Sequence, residues 1–155
     1  MGDEATLSDI KAFAAGLGPW AHLATVGTDS TPDVVPVHPC WGPAPGTDDG
    51  PADTLWIMCG NGSVKAKNVG GQPRVALHWQ VTEKGDGVEM WGSGTLLDDL
   101  ETKHRLWQGV FDYDLNAFAP GGPDGSPDTG FLAVAPDRAV IIVAYGAGGI
   151  RRWRA

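Results

Sequence analysis

The chain has 155 residues, 42% of them hydrophobic and 19% charged, with a formal net charge of -8. That length supports one domain, 1–155, with a sizeable core, and that balance excludes a disordered chain. A pI near 4.7 argues against nucleic-acid binding and against docking on an anionic membrane, since both need a broad basic surface. No apolar run approaches the roughly 18 residues of a membrane span. The start of the chain lacks a charged leader followed by a hydrophobic run, so the expected location is the cytoplasm. The 23 glycines and 12 prolines favour a turn-rich β fold over a helical bundle. Two cysteines, Cys40 and Cys59, are too few for a disulfide framework and read as buried free thiols.

Leu7–Leu17 has the periodicity of an amphipathic helix, with Ile10, Phe13, Ala14 and Leu17 on one stripe and Ser8 as N-cap. Trp20–Val26 and Asp33–Trp41 alternate as the strands of a hairpin around a Gly/Asp/Pro turn. Pro36 and Pro39 make the second strand an edge, a bulged strand, or one that faces a ligand. Gly42–Asp53 reads as an exposed loop. Pro73–Val81 is a strand with Val75, Leu77, Trp79 and Val81 alternating against Arg74, Ala76, His78 and Gln80. Val88–Leu97 returns as the next strand, interrupted near Gly92 and Gly94. Asp98 and Glu101 resemble a capping box opening a helix to about Gly109, with Leu100, His104 and Trp107 inside. Phe111–Asp128 is too long for a simple connector and is a candidate lid or interface element. Phe131–Val134 and Ala139–Ala144 supply one or two last strands. Residues 1–6 and 146–155 read as tails, flexible or placed at an interface. These elements predict a mainly β fold, an antiparallel barrel of about six strands with short peripheral helices.

The most chemically suggestive stretch is Leu55–Gly71. The apolar run Leu55–Cys59 reads as a buried strand that breaks at Gly60-Asn61-Gly62, where the backbone can approach a ligand closely. Ser63 then caps a short helix carrying Lys65 and Lys67, and Gly70-Gly71 ends it. Free N–H groups, the positive end of the helix dipole and lysine together make an anion site. From Leu55 to Thr82 there is no Asp or Glu, so the stretch is a cationic island in an acidic chain. It is not a nucleotide-hydrolysing P-loop, because the Gly-Lys-Ser/Thr ending is missing.

Several of these pieces occur in a recognisable order. They are Leu23-Ala24-Thr25 with its turn, Pro32 to Val37, Ser63-x-Lys65-x-x-Asn68-Val69, and Pro73-Arg74-Val75-Ala76. Gly92-x-Gly94-Thr95 leading to Asp98-Asp99, Trp107, and Phe118-x-Pro120-Gly-Gly-Pro123 follow. From about Leu7 to Arg138 the chain resembles the pyridoxamine-5'-phosphate-oxidase-like flavin-binding split barrels, and within them the general-stress-protein branch. The resemblance implies a Greek-key split barrel that binds FMN non-covalently and forms a homodimer with cofactor sites at the subunit interface. It places the cofactor phosphate by Ser63 and Lys65 and counts Val64 and Asn68 among the cofactor-binding residues, Asn68 being equally a candidate to hold the turn. The isoalloxazine ring would lie against Val35, Pro36 and Val37 on one strand and Met58, Cys59 and Gly60 on another. The implied activity is an oxidoreductase acting on a small acceptor. The chain departs from the oxidase members in lacking an arginine-rich phosphate cradle, with no Lys or Arg between Lys11 and Lys65. Oxidation of pyridoxamine phosphate itself is therefore not expected. Two alternatives stay open: a reductase using the deazaflavin coenzyme F-420, and a non-catalytic flavin- or haem-binding stress protein with His38 or His78 as axial ligand.

His38 and Trp41, near the expected edge of the ring, are candidates to line a substrate pocket. His38, Cys40, Cys59 and His78 are zinc-ligating residue types, but no Cys-x-x-Cys pair exists and all four sit in strand-like segments, so no metal is expected. No carboxylate pair suggests hydrolysis, and no catalytic residue stands out, as suits a protein whose cofactor performs the chemistry. Arg74 is assigned to an interface salt bridge or a phosphate contact. Trp56, Trp79 and Trp91 read as core or dimer packing. Trp153, among the terminal arginines, belongs to a frayed tail or reaches a partner's cofactor.

Overall fold

The structure, a computed structural model, describes residues 3–79 and 81–155. Met1 and Gly2 of the N-terminal tail, and Gln80 on the predicted strand, lie outside the described residues. The opening helix α1 spans Leu7–Leu17, as its periodicity predicts, but its N-cap is Thr6 and not Ser8. The Thr6 hydroxyl accepts from the Asp9 amide at 3.1 Å, and the Thr6 amide donates back to the Asp9 carboxylate at 2.9 Å. A reciprocal box needs an acceptor side chain three residues on, which Thr6 has in Asp9 and Ser8 lacks. Ile10 and Ala14 face the barrel and are buried.

The strands are β1 (Ala21–Val26), β2 (Pro32–Val37), β3 (Cys40–Gly42), β4 (Thr54–Gly60), β5 (Arg74–Trp79), β6 (Gly87–Leu97), β7 (Thr129–Val143) and β8 (Gly149–Arg154). Helices α2 (Val64–Gly71) and α3 (Leu100–Trp107) follow β4 and β6. All strand pairings are antiparallel, in the order β2-β1-β5-β6-β7-β4-β3, with β8 added to β7. The fold is thus mainly β, as expected, with eight strands among the described residues in place of about six.

Three local differences account for the count. The predicted strand Asp33–Trp41 divides at His38-Pro39, because Pro39 cannot donate to a ladder. The two apolar runs at the end of the chain form one long strand, β7, through Pro136-Asp137. Gly149–Arg154 pairs along β7, with Trp153 opposite Ala139, so the terminal arginines lie on a strand and Trp153 packs against the core. The division of the second strand also shapes the barrel. β2 and β3 stand at opposite ends of the sheet order yet are separated only by His38 and Pro39. Three Cα–Cα steps span at most about 11 Å. The sheet must therefore curl until its two edges are neighbours, which leaves an open, split barrel.

Residues alternating inward fill the barrel: Leu23, Val37, Leu55, Ile57, Leu77, Met90, Leu132 and Val134 join Ile10 of α1 and Val69 of α2. A second cluster on the outer face of β4 and β7, Trp56, Phe131 and Ala133, is covered by Leu106 of α3 and Leu115 of the following loop. The long strand pair β6–β7 shifts register between Trp91 and Gly92, where a Cβ on Gly92 would come within 2.5 Å of the Ala135 carbonyl. Only glycine allows that approach. Trp91 itself is half-buried, with the Arg138 guanidinium 4.3 Å from its ring centre.

The N-cap of α3 is Asp99, not Asp98: its carboxylate accepts from the Thr102 amide and hydroxyl, both at 3.0 Å. Starting the helix one residue later turns its faces. Thr102, Lys103 and Leu106 are buried, whereas Leu100 and His104 are exposed. Lys103 was invisible to an apolar-stripe reading because it is buried as a hydrogen-bond donor, its Nζ giving to the Ser126 carbonyl at 2.9 Å.

The backbone amide of Thr6 holds the Asp9 carboxyl below its usual range, and that of Thr102 does the same for Asp99. A carboxylate depressed on folding stabilises above its unfolded pKa and loses that contribution as pH falls through the folded value. Thermal stability is therefore expected to decline as pH drops below the ordinary aspartate value of 3.8. Melting curves of the protein carrying D9N and D99N together, measured from neutral pH downward, are expected to show a shallower decline.

Candidate flavin site

The segment after β4 folds as its local chemistry dictates. The Ser63 hydroxyl donates to the Gly60 carbonyl at 2.7 Å and accepts, at 3.4 Å, from the Ala66 amide, capping α2. The Val64 and Lys65 amides, in the first turn, donate to no acceptor among the described residues. Asn61 ties the turn down, its amide donating to the Asp128 carbonyl at 2.8 Å and its side chain to the Pro127 carbonyl at 3.1 Å. Gly130 leaves room for it, since a Cβ there would meet the Asn61 side-chain oxygen at 2.1 Å and displace it.

The first turn of α2 adjoins a cavity of about 670 Å3. Pro36, Val37, Met58, Cys59, Gly60 and Lys65 line it, all expected from the sequence. Its remaining wall is Trp20, His38, Tyr113, Phe118 and Thr129. The rings form a continuous run: Trp20 to His38 at 5.1 Å between centroids, His38 to Tyr113 at 4.6 Å, and Tyr113 to Phe118 at 5.6 Å. The lining holds no carboxylate, and Lys65 is its one Lys or Arg among the described residues. Trp20 and Phe118 remain 53% and 71% exposed, so the cavity is open on the aromatic side.

Other candidates fall elsewhere. Val35 packs against the barrel core and Val64 points to solvent. Ser63 is engaged in the cap, and Asn68 donates to Thr25 of β1 at 3.0 Å, fastening α2 to the barrel. Trp41 lines a smaller cavity of about 340 Å3 that it shares with His38. Arg74 pairs with Asp137 of its own chain and holds that carboxyl below the usual range. Lys67 is exposed. Burial pushes the Cys59 thiol up to about 11 against a small opposing effect of Lys65, leaving it protonated at neutral pH.

Sequence reasoning missed Trp20, Tyr113, Phe118 and Thr129. For Tyr113 and Phe118 the available signal was the length of the Phe111–Asp128 loop, which marked the segment without saying which of its rings would turn inward. That loop holds a short 3-10 turn, Leu115–Ala117, and buries Leu115, Ala119 and Ser126.

An open antiparallel barrel with an apolar cleft, bounded by a capped, lysine-bearing helix start, defines a split barrel. The profile of the pyridoxamine 5'-phosphate oxidase family matches residues 16–143, and the chain belongs to that family. Among solved structures it is similar to a protein from Clostridium acetobutylicum related to general stress protein 26, with a TM-score of 0.70 and 14% identity over 96% of this chain and 93% of that one. A pyridoxamine 5'-phosphate oxidase-related, FMN-binding protein from Nostoc punctiforme aligns with a TM-score of 0.65 and 20% identity, covering 95% and 86% of the two chains. An F-420 reductase aligns with a TM-score of 0.51 and 19% identity, covering 77% and 87%. At these identities the likeness establishes the fold. No curated protein matches the chain. No helix among the described residues is long and apolar enough to cross a membrane.

Proposed function

We propose that this chain is an FMN-binding oxidoreductase, acting as a cytoplasmic homodimer on a small, planar acceptor. One observation carries the reading: the amide-rich start of α2 and Lys65 adjoin an apolar cavity whose lining holds no carboxylate. A phosphomonoester needs donors and positive charge, and an isoalloxazine ring needs flat apolar walls. Lys65 with the free amides of Val64 and Lys65 answers the first demand, while Pro36, Val37 and Met58 answer the second. Bound FMN would supply hydride or electron transfer. The protein's part is to bind, orient and exclude water.

Tyr113 and Phe118 wall the cavity on the side of the long loop, and a second copy set against the exposed Trp20, Val34 and Phe118 would close the rest. The fold is shared with an F-420 reductase, but the long anionic tail of a deazaflavin calls for a broader basic surface than Lys65 alone presents at this cavity.

Separate titrations of FMN and the deazaflavin into the apo-protein test the proposal, with FMN expected to bind and its fluorescence to be quenched. Deazaflavin binding without FMN binding would reverse the assignment. Gly60 offers a selective probe. A Cβ there would meet only the Asp128 carbonyl, at 3.9 Å, so a side chain can be accommodated without backbone strain. Gly60 lies two residues from Met58 on β4 and therefore shares its face. G60L is expected to keep the thermal transition of the parent and lose at least tenfold in FMN affinity, read by fluorescence titration.

A further inference from the structure

The smaller cavity, of about 340 Å3, is lined by three side chains that the flavin reading does not use together: His38, Cys40 and Asp112. His38 and Cys40 flank Pro39 between β2 and β3, and Asp112 comes from the long loop. One ligand atom from each, a ring nitrogen of His38, Cys40 Sγ and an Asp112 carboxylate oxygen, lies within 4.8 Å of the other two. Cys40 Sγ stands 3.4 Å from Asp112 Oδ1, and His38 Nε2 stands 2.8 Å from the same oxygen.

The second contact is not a hydrogen bond. Although Nε2 is close to the carboxylate, its geometry fails, and this buried nitrogen has no hydrogen-bond partner among the described residues. A buried polar atom left unpaired costs free energy, so its lone pair or proton requires another partner. We infer that His38, Cys40 and Asp112 form a binding site for a borderline-soft divalent cation of the zinc class, with the fourth position open to the cavity.

The donor set is one that zinc uses: imidazole nitrogen, thiolate and carboxylate. Tetrahedral zinc sets its oxygen and sulfur ligands roughly 3.5 Å apart and its oxygen and nitrogen ligands roughly 3.3 Å apart. The Cys40–Asp112 separation already matches. The His38–Asp112 separation needs only a small outward move of Asp112, whose side chain is 69% exposed and free to make it. Lys11, on the same cavity, is held by Asp53 and lies over the Trp41 ring, and it is no ligand. Binding would replace the thiol proton by the cation and release that proton to solvent. The site departs from the expectation of no metal, and it does not depend on flavin binding.

Cobalt(II) titrated into the reduced full-length protein tests the inference, because cobalt reports its ligands by absorption. A thiolate-to-cobalt band in the near ultraviolet and visible bands of tetrahedral intensity are expected, saturating at one ion per chain and displaced by zinc. C40S is expected to abolish the near-ultraviolet band, and C59S to leave it intact. D112N alters an exposed side chain and is expected to weaken cobalt binding at least tenfold at an unchanged melting temperature. No thiolate band in the parent protein, a band that persists in C40S, or unaltered affinity in D112N would overturn the site. FMN affinity measured on the same samples separates failure here from failure of the flavin proposal.

Discussion

Replacing Lys65 by alanine is expected to weaken FMN binding by roughly 10- to 150-fold, the equivalent of about 1.5–3 kcal/mol for a hydrogen bond to a charged group. The magnitude follows from the scarcity of other cations. Lys65 is the one Lys or Arg lining the cavity among the described residues, Lys67 is exposed, and Arg74 is committed to Asp137. The phosphate of FMN carries about two negative charges near neutral pH. With Lys65 removed, only the amides at the start of α2 remain to meet them. Binding by the parent protein is expected to fall as salt is raised, and binding by K65A to depend on salt less steeply. Fluorescence titrations at several ionic strengths measure both quantities. Equal affinities for the parent and K65A would remove the phosphate from this helix. Adding S63A is expected to lower stability by about 1 kcal/mol as well, because Ser63 caps α2.

The second large effect lies in the outer cluster. Phe131→Ala is expected to cost about 3–5 kcal/mol and to lower the melting temperature by roughly 6–20 °C. Phe131 is fully buried on β7, with Trp107 and Phe111 at 5.9 and 5.5 Å between ring centres. A cavity at this point is bordered by side chains from three separate segments, which cannot all collapse into it. Phe111 also contacts Tyr113, at 5.4 Å, so the ring that supports the loop is one step from the ring that walls the cavity. F131A is consequently expected to weaken FMN binding, through this run of rings and through Met58, its cross-strand partner on β4, which lines the cavity. Differential scanning calorimetry and flavin titration on the same preparation separate the stability loss from the binding loss.

What the sequence determined by itself was local. Alternation along Ala21–Val26 and Arg74–Trp79, the helical stripe of Leu7–Leu17, and the strand, glycine turn and capped helix of Leu55–Gly71 were all legible, because each signal lies within a dozen or so neighbouring residues. The proposed anion site was readable for the same reason: its candidate donors are one helix start and one lysine. The N-caps are local as well, each fixed by a partner three residues on, Asp9 for Thr6 and Thr102 for Asp99. Tertiary structure decided whatever joined distant segments. Lys103 could become buried only once the loop placed the Ser126 carbonyl above it. The aromatic wall needed Trp20 and Phe118 on one side of a cleft, and the His38–Cys40–Asp112 cluster needed an aspartate 72 residues from the cysteine. No periodicity records such distances. They are set when two strands joined by His38-Pro39 force the sheet to curl and the long loop is held against β7 by Phe131.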